Sequence, residues 1–170
     1  MGKRVIGEQL HQLRADGWSV FHDVPFDGKP GAGPFNVDHV VVGQGGVYVI
    51  GTKTRRPRRA GDGHEVFFDG RFLQFPSGKE FLGPDDLRFR AKTLAAWLSQ
   101  SLERDIPVIP VMVLPGWRVR CEGDSDLRVA SDAELTSLFE GVDTPEVLDP
   151  AAVQAIRALL EERCRDVTLG

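Results

Sequence analysis

The stretch "FNVDHVVVGQGGVYVIGTK", residues 35–53, decides how this chain is read. Two runs rich in β-branched and aromatic residues flank Gly43-Gln44-Gly45-Gly46, a pattern that specifies a hairpin with strands over 35–42 and 47–53. With an even number of residues in the turn, Val42 lies opposite Val47, pairing partners sum to 89, and Asp38 faces Gly51. Alternation then places Asp38, Val40 and Val42 on one face with Val47, Val49, Gly51 and Lys53, while His39 and Thr52 point to the other. An odd turn would flip the parity and dissolve the group.

The elements on either side follow from periodicity. Ile6, Leu10 and Leu13 recur at helical spacing ahead of Gly17, so a helix is expected over 4–15, followed by a strand over "WSVFHDV", 18–24. "DGKPGAGP", 27–34, is a loop. "EVFFDGRFLQF", 65–75, reads as a second hairpin about an Asp-Gly turn. Pro84 opens a helix over about 85–103, whose apolar stripe is Leu87, Ala91, Leu94, Ala95, Leu98 and Leu102. The proline-bounded run "IPVIPVMVLPG", 106–116, has the composition of a strand buried on both faces. A short strand at 127–131, a helix at 132–140 capped by Ser131 with Glu134, and an amphipathic helix at 149–164 complete the order. The result is an α/β chain, a mixed sheet flanked by helices.

Bulk properties narrow the function. A chain of 170 residues that is 41% hydrophobic suits one domain, 1–170, with a real core. Its formal net charge of −4 excludes a polycation that coats nucleic acid over its whole surface, so any anion-binding face is local. Five of the seven residues from Lys53 to Arg59 are basic. Cys121 and Cys164 lack metal-finger spacing, which speaks against a zinc site or a disulfide scaffold and for a reducing, cytoplasmic home. The N-terminal segment lacks the apolar run of a secretory signal, and no stretch approaches the roughly 20 apolar residues that span a bilayer.

Gly7-Glu8 on the first helix, "NVDHVVVGQGGVYVIGTK" at 36–53, and Pro84 followed by "RAKTLAAWL" at 90–98 together resemble the nuclease-related domain (NERD) family, a branch of the PD-(D/E)xK nucleases. A looser similarity runs to "LEERCRDV" at 160–167. The resemblance implies a restriction-endonuclease-like mixed sheet and hydrolysis of a DNA phosphodiester with Mg²⁺ or Mn²⁺. Position by position, Asp38 matches the metal-binding aspartate, Lys53 the catalytic lysine and Glu8 the helix-borne acid. Gly51 matches the metal-binding glutamate and has no side-chain oxygen, so activity is expected to be impaired. Arg90 stands near where the family places a glutamine.

Each of these residues also has a plainer reading. Asp38 and Lys53 could form a structural ion pair, Glu8 could lie on a solvated helix face, and His39 could serve packing or a hydrogen bond. The arginines at 55, 56, 58 and 59 are either a soluble loop or a phosphate-binding set, Arg55, Arg56, Arg58 and Arg59, since guanidinium groups grip phosphate in a bidentate manner. Asp62 and Glu65 are the acids nearest in sequence that could fill the vacancy at 51. Three functions stay open: a metal-dependent nuclease, a nuclease-fold domain that binds nucleic acid without cutting, and a protein-interaction module with a vestigial cleft.

Overall fold

A computed structural model of the protein describes residues 2–28, 33–55, 64–80, 82–139 and 147–168. The helix α1 spans Gly2–His11 and tightens into a 3-10 turn over Gln12–Asp16, which ends at left-handed Gly17. The hairpin at the centre of the sequence forms as expected. Its strands β2 (Phe35–Gly43) and β3 (Gly46–Thr52) pair antiparallel with Val42 opposite Val47 and His39 opposite Ile50. The turn is therefore even, and the ladder ends one step short of Asp38 and Gly51.

β1 (Ser19–Phe26) pairs antiparallel with β2 on its other side. Beyond β3 lie β7 (Val108–Val113) and β9 (Arg128–Ala130), both parallel, giving a five-stranded mixed sheet in the order β1-β2-β3-β7-β9. β7 is buried from Pro110 to Val113, as its apolar composition requires, because helices cover both faces of the sheet. On one face Ile6, Leu10 and Leu13 from α1 and its following turn meet Val41, Tyr48, Ile50, Val111 and Val113. On the other, α2 (Leu82–Leu102) and α3 (Pro150–Thr168) pack Leu94, Leu98, Ile156 and Leu160 against Val40, Val42, Val47 and Val49.

The hairpin expected at 65–75 forms, with Phe67 opposite Gln74 and Phe68 opposite Leu73, inside a larger sheet, and two other expectations are corrected. The segment 65–75 does turn at Asp69-Gly70, where Asp69 Oδ1 accepts the N–H groups of Arg71 and Phe72 at 2.9 Å each. It is, however, part of a second sheet of four strands, β6-β5-β4-β8, comprising β4 (Glu65–Phe68), β5 (Leu73–Phe75), β6 (Gly78–Glu80) and β8 (Arg118–Cys121). β6 and β8 are too short and too polar to show alternation in the sequence. The helix expected at 132–140 is two 3-10 turns, Asp132–Glu134 and Thr136–Leu138, and Ser131 does not cap it through its side chain. The Ser131 hydroxyl instead donates to Glu134 Oε1 at 3.0 Å.

Arg88 ties the second sheet to α2. Its guanidinium donates to Asp126 Oδ1 (3.0 Å), Gly70 O (2.6 Å) and Ser125 Oγ (3.1 Å). Among the described residues no helix is long and apolar enough to cross a membrane.

Candidate functional site

β2, β3 and the start of α2 enclose a cleft lined by Asp38, Gly51, Thr52, Lys53, Thr54, Asp86, Leu87, Arg90 and neighbouring residues. The parallel pairing of β3 with β7 carries Lys53 to this position: its backbone N–H donates to Val113 O at 2.9 Å, continuing the ladder past Thr52. The even hairpin turn brings Gly51 and Lys53 to this cleft, whose lining also takes in Asp38.

Where the acid of an acid-x-lysine triplet would stand, Gly51 is overlaid by Leu87 of α2. A Cβ built on Gly51 would lie 2.9 Å from Leu87 Cδ1 and 3.3 Å from Cδ2, closer than the 3.5–4.0 Å of ordinary carbon contacts. Leu87 is buried and belongs to the larger core cluster. Gly51 still borders the cleft, but Leu87 lies across the place of the missing side chain as a hydrophobic contact between strand and helix.

Asp38 does not pair with Lys53. The ladder between β1 and β2 skips Asp23 and Asp38, and Asp23 takes a left-handed φ of 50°. Beyond that irregularity Val24, Phe26 and Val37 join the larger core with Val40 and Val42, so the strict alternation of side chains is reset there. Both carboxylates reach Lys3 at the start of α1, Asp23 at 2.5 Å and Asp38 at 3.2 Å. The Asp23 hydrogen bond, aided by Asp38 and opposed by partial burial, holds the Lys3 ammonium above its ordinary range.

Lys53 finds its acid in Glu80 of β6, whose Oε1 is in contact with the lysine Nζ. The other carboxylate oxygen, Oε2, is buried without a hydrogen-bond partner among the described residues. Gly83 allows the amine to lie against the first turn of α2, since a Cβ there would be 3.4 Å from Nζ. Arg90 reaches into the same cleft, donating to Asp86 Oδ2 at 2.7 Å and to Asn36 O, with its guanidinium 4.8 Å from the centre of the Phe35 ring.

Glu8 lies in a separate cleft on the α1 side, with Lys3, Arg4, Gly7, His11, His22, Asp23 and His39, and pairs with Arg4 at 3.4 Å. The histidines beside it form a chain. His11 Nε2 lies 2.9 Å from His22 Nε2, and His22 Nδ1 lies 2.8 Å from His39 Nδ1. Gly7 lets α1 close over them, as a Cβ would meet His39 Cε1 at 3.4 Å and His22 Cε1 at 3.5 Å. His39, only 2% exposed, therefore serves a hydrogen bond in the α1 interface, one of the two readings its sequence position allowed. Burial first, and His22 second, push its pKa down to about 4.

Arg55 is the one residue of the arginine set within the described structure; Arg56, Arg58 and Arg59 lie outside the described residues, as does Asp62. The Arg55 carbonyl accepts Trp117 Nε1–H at 2.8 Å and its guanidinium sits 4.4 Å from the Phe75 ring centre, which anchors the start of the basic run to the second sheet. Trp117 is buried there, in the larger core cluster. Glu65 pairs with Arg120 at 2.9 Å within the second sheet and is not among the residues lining the cleft.

The donor set does not fit a divalent cation. Hard ions such as Mg²⁺ take several oxygen ligands, more than one of them commonly carboxylate. Here position 51 supplies none, Asp38 is engaged by Lys3, and Asp86 is engaged by Arg90. Among the described residues no group of three or more His, Cys, Asp or Glu side chains is placed to hold a metal. Sequence reasoning missed Lys3, Glu80 and Leu87. Nothing local marks Lys3 or Glu80, because each meets its partner only through tertiary contact.

Neither the curated proteins nor the solved structures contain a significant match to this chain. The family model described as "Nuclease-related domain" (NERD) matches residues 1–115, which take in α1, the central hairpin, the cleft and β7, leaving the looser similarity at 160–167 beyond it. With that match over more than half of its 170 residues, the chain belongs to the nuclease-related domain family.

Proposed function

We propose that this protein is a nuclease-fold domain that binds nucleic acid, DNA in the first instance, without the metal-dependent cleavage associated with its ancestry. The observation that carries this reading is Leu87 packed into the place of the missing acid at Gly51. A site that had merely lost one ligand would keep the space for it, and water could enter. A site refilled by a buried leucine has been absorbed into the core, and the remaining acid, Asp38, has a cation of its own.

Nucleic-acid engagement rests on the fold and on charge. The basic run from Lys53 to Arg59 begins at the cleft and continues from an anchored Arg55, in a chain whose net charge is −4. Guanidinium groups there would hold phosphate oxygens in pairs, position the backbone without reading bases, and release counterions on binding. The reading keeps Lys53 and Asp38 as cleft residues and Arg55, Arg56, Arg58 and Arg59 as the phosphate contacts, with Glu8 outside the site. A cytoplasmic setting agrees with two cysteines, Cys121 and Cys164, that are not joined in a disulfide.

The test has two arms. Binding of a duplex oligonucleotide is measured in EDTA across a salt series, for the wild type and for a variant with the four arginines changed to glutamate. Metal-independent binding that weakens steeply with salt and disappears in the variant is expected. In parallel, plasmid cleavage with Mg²⁺ and Mn²⁺ is followed for the wild type, Asp38→Ala and Lys53→Ala. Nicking by the wild type that both substitutions abolish would overturn the proposal and restore a working nuclease.

A further inference from the structure

The cleft's two cations differ in how firmly they are held. Arg90 has three partners, Asp86, the Asn36 carbonyl and the Phe35 ring. Lys53 has one carboxylate: among the described residues Glu80 alone lies within 4.0 Å of its amine. Both members of that pair keep some contact with solvent, Lys53 at 26% and Glu80 at 21% side-chain exposure. The pair is also incomplete, because the second Glu80 oxygen is buried with no donor to satisfy it among the described residues. A carboxylate desolvated on one side and hydrogen-bonded on the other is an expensive partner to keep, and a competing anion can replace it.

We propose that Lys53 is a phosphate-oxygen site closed by the chain's own carboxylate, with Glu80, which stands behind the cleft lining, as an internal counter-anion that a phosphate group in the cleft displaces to reach the Lys53 amine. This rests on the nucleic-acid reading above and adds regulation to it: the arginines set affinity for the backbone, whereas exchange of Glu80 for a phosphate decides whether the strand reaches the cleft. The geometry suits the exchange. Removing Glu80 would leave the amine partly exposed at the cleft wall, with no other described carboxylate near enough to recapture it. Asp38 is not available, since Lys3 holds it together with Asp23.

The experiment uses inorganic phosphate as the probe and the Lys53 side-chain ¹⁵Nζ resonance as the readout, on the full chain. Glu80→Gln is expected to bind phosphate about fivefold more tightly than the wild type, the gain that corresponds to releasing an ion pair worth about 1 kcal/mol. Glu80→Asp, which keeps the charge but withdraws it by one methylene, should fall between the two. It serves as the reporter if the glutamine variant loses its fold by circular dichroism. Lys53→Met in the Glu80→Gln background should erase the gain. Equal phosphate affinity in the wild type and the Glu80 variants, or a gain that survives Lys53→Met, would overturn the inference. Because free phosphate needs none of the arginines, that failure is separable from a failure of duplex binding, which would count against the nucleic-acid reading alone.

Discussion

Filling Gly51 with a single methyl group tests the central geometric claim directly. An alanine Cβ at this position would approach Leu87 Cδ1 to 2.9 Å and Cδ2 to 3.3 Å. Leu87 is 5% exposed, so its side chain cannot swing into solvent without giving up core contacts. Overpacking of this kind costs about 1–3 kcal/mol, offset by about 0.4–1 kcal/mol from the lower entropy of the unfolded alanine chain, so Gly51→Ala should destabilise by about 1–2 kcal/mol. Leu87→Ala alone removes a buried side chain and should cost about 2–5 kcal/mol. In the double variant the new methyl group enters the gap left by the leucine, so the overpacking term vanishes. The double variant should then be no less stable than Leu87→Ala, a coupling equal to the overpacking cost of about 1–3 kcal/mol in a double-mutant cycle. Urea unfolding at equilibrium for the four proteins supplies the cycle. Coupling within about 0.5 kcal/mol of zero would mean that the two side chains do not compete for one space, and the account of a refilled site would fail.

Other consequences are open to measurement. Because Leu87 blocks the position, Gly51→Glu by itself should give no Mg²⁺-dependent nicking of plasmid, and cleavage by that single variant would show the vacancy to be open. His39 is neutral when folded, with a pKa of about 4 against an ordinary 6.5. The unfolded chain therefore binds the extra proton first, and stability falls as pH drops from 6.5 towards 4, by on the order of 3 kcal/mol at most, with no loss above 6.5. His22, lowered mainly by burial, acts in the same direction, whereas Asp23 and Asp38 oppose the shift and Lys3 supports it. His39→Gln should flatten the pH dependence of the urea midpoint in that window, and an unchanged slope would refute the assignment. Arg88→Ala should cost about 1 kcal/mol, as read from thermal unfolding, because the Gly70 carbonyl keeps Ser125 Oγ as a donor and the exposed Asp126 carboxylate returns to water. Trp117→Phe, which deletes the indole hydrogen bond to the Arg55 carbonyl, should cost about 1 kcal/mol and speed proteolysis after Arg55; unchanged cleavage would separate that bond from the anchoring of the basic run.

The sequence by itself determined the central hairpin and, for an even glycine turn, the face that Gly51 shares with the valines; that the turn is even was decided by the pairing of Val42 with Val47 in the folded sheet. It also carried the family, since the spacing of Asp38, Gly51 and Lys53 is local to that hairpin. What each of those side chains touches was decided elsewhere. The irregularity at Asp23 and Asp38 turns two carboxylates to a lysine 20 and 35 residues away, at Lys3, and no periodicity encodes such a break. Glu80 reaches Lys53 only because four short strands build a second sheet beside the first. Leu87 appears in the sequence as one more residue of an apolar stripe. Only the packing of α2 across β3 aims it at a glycine, and that contact, made between elements distant along the chain, turns an absent ligand into a filled core.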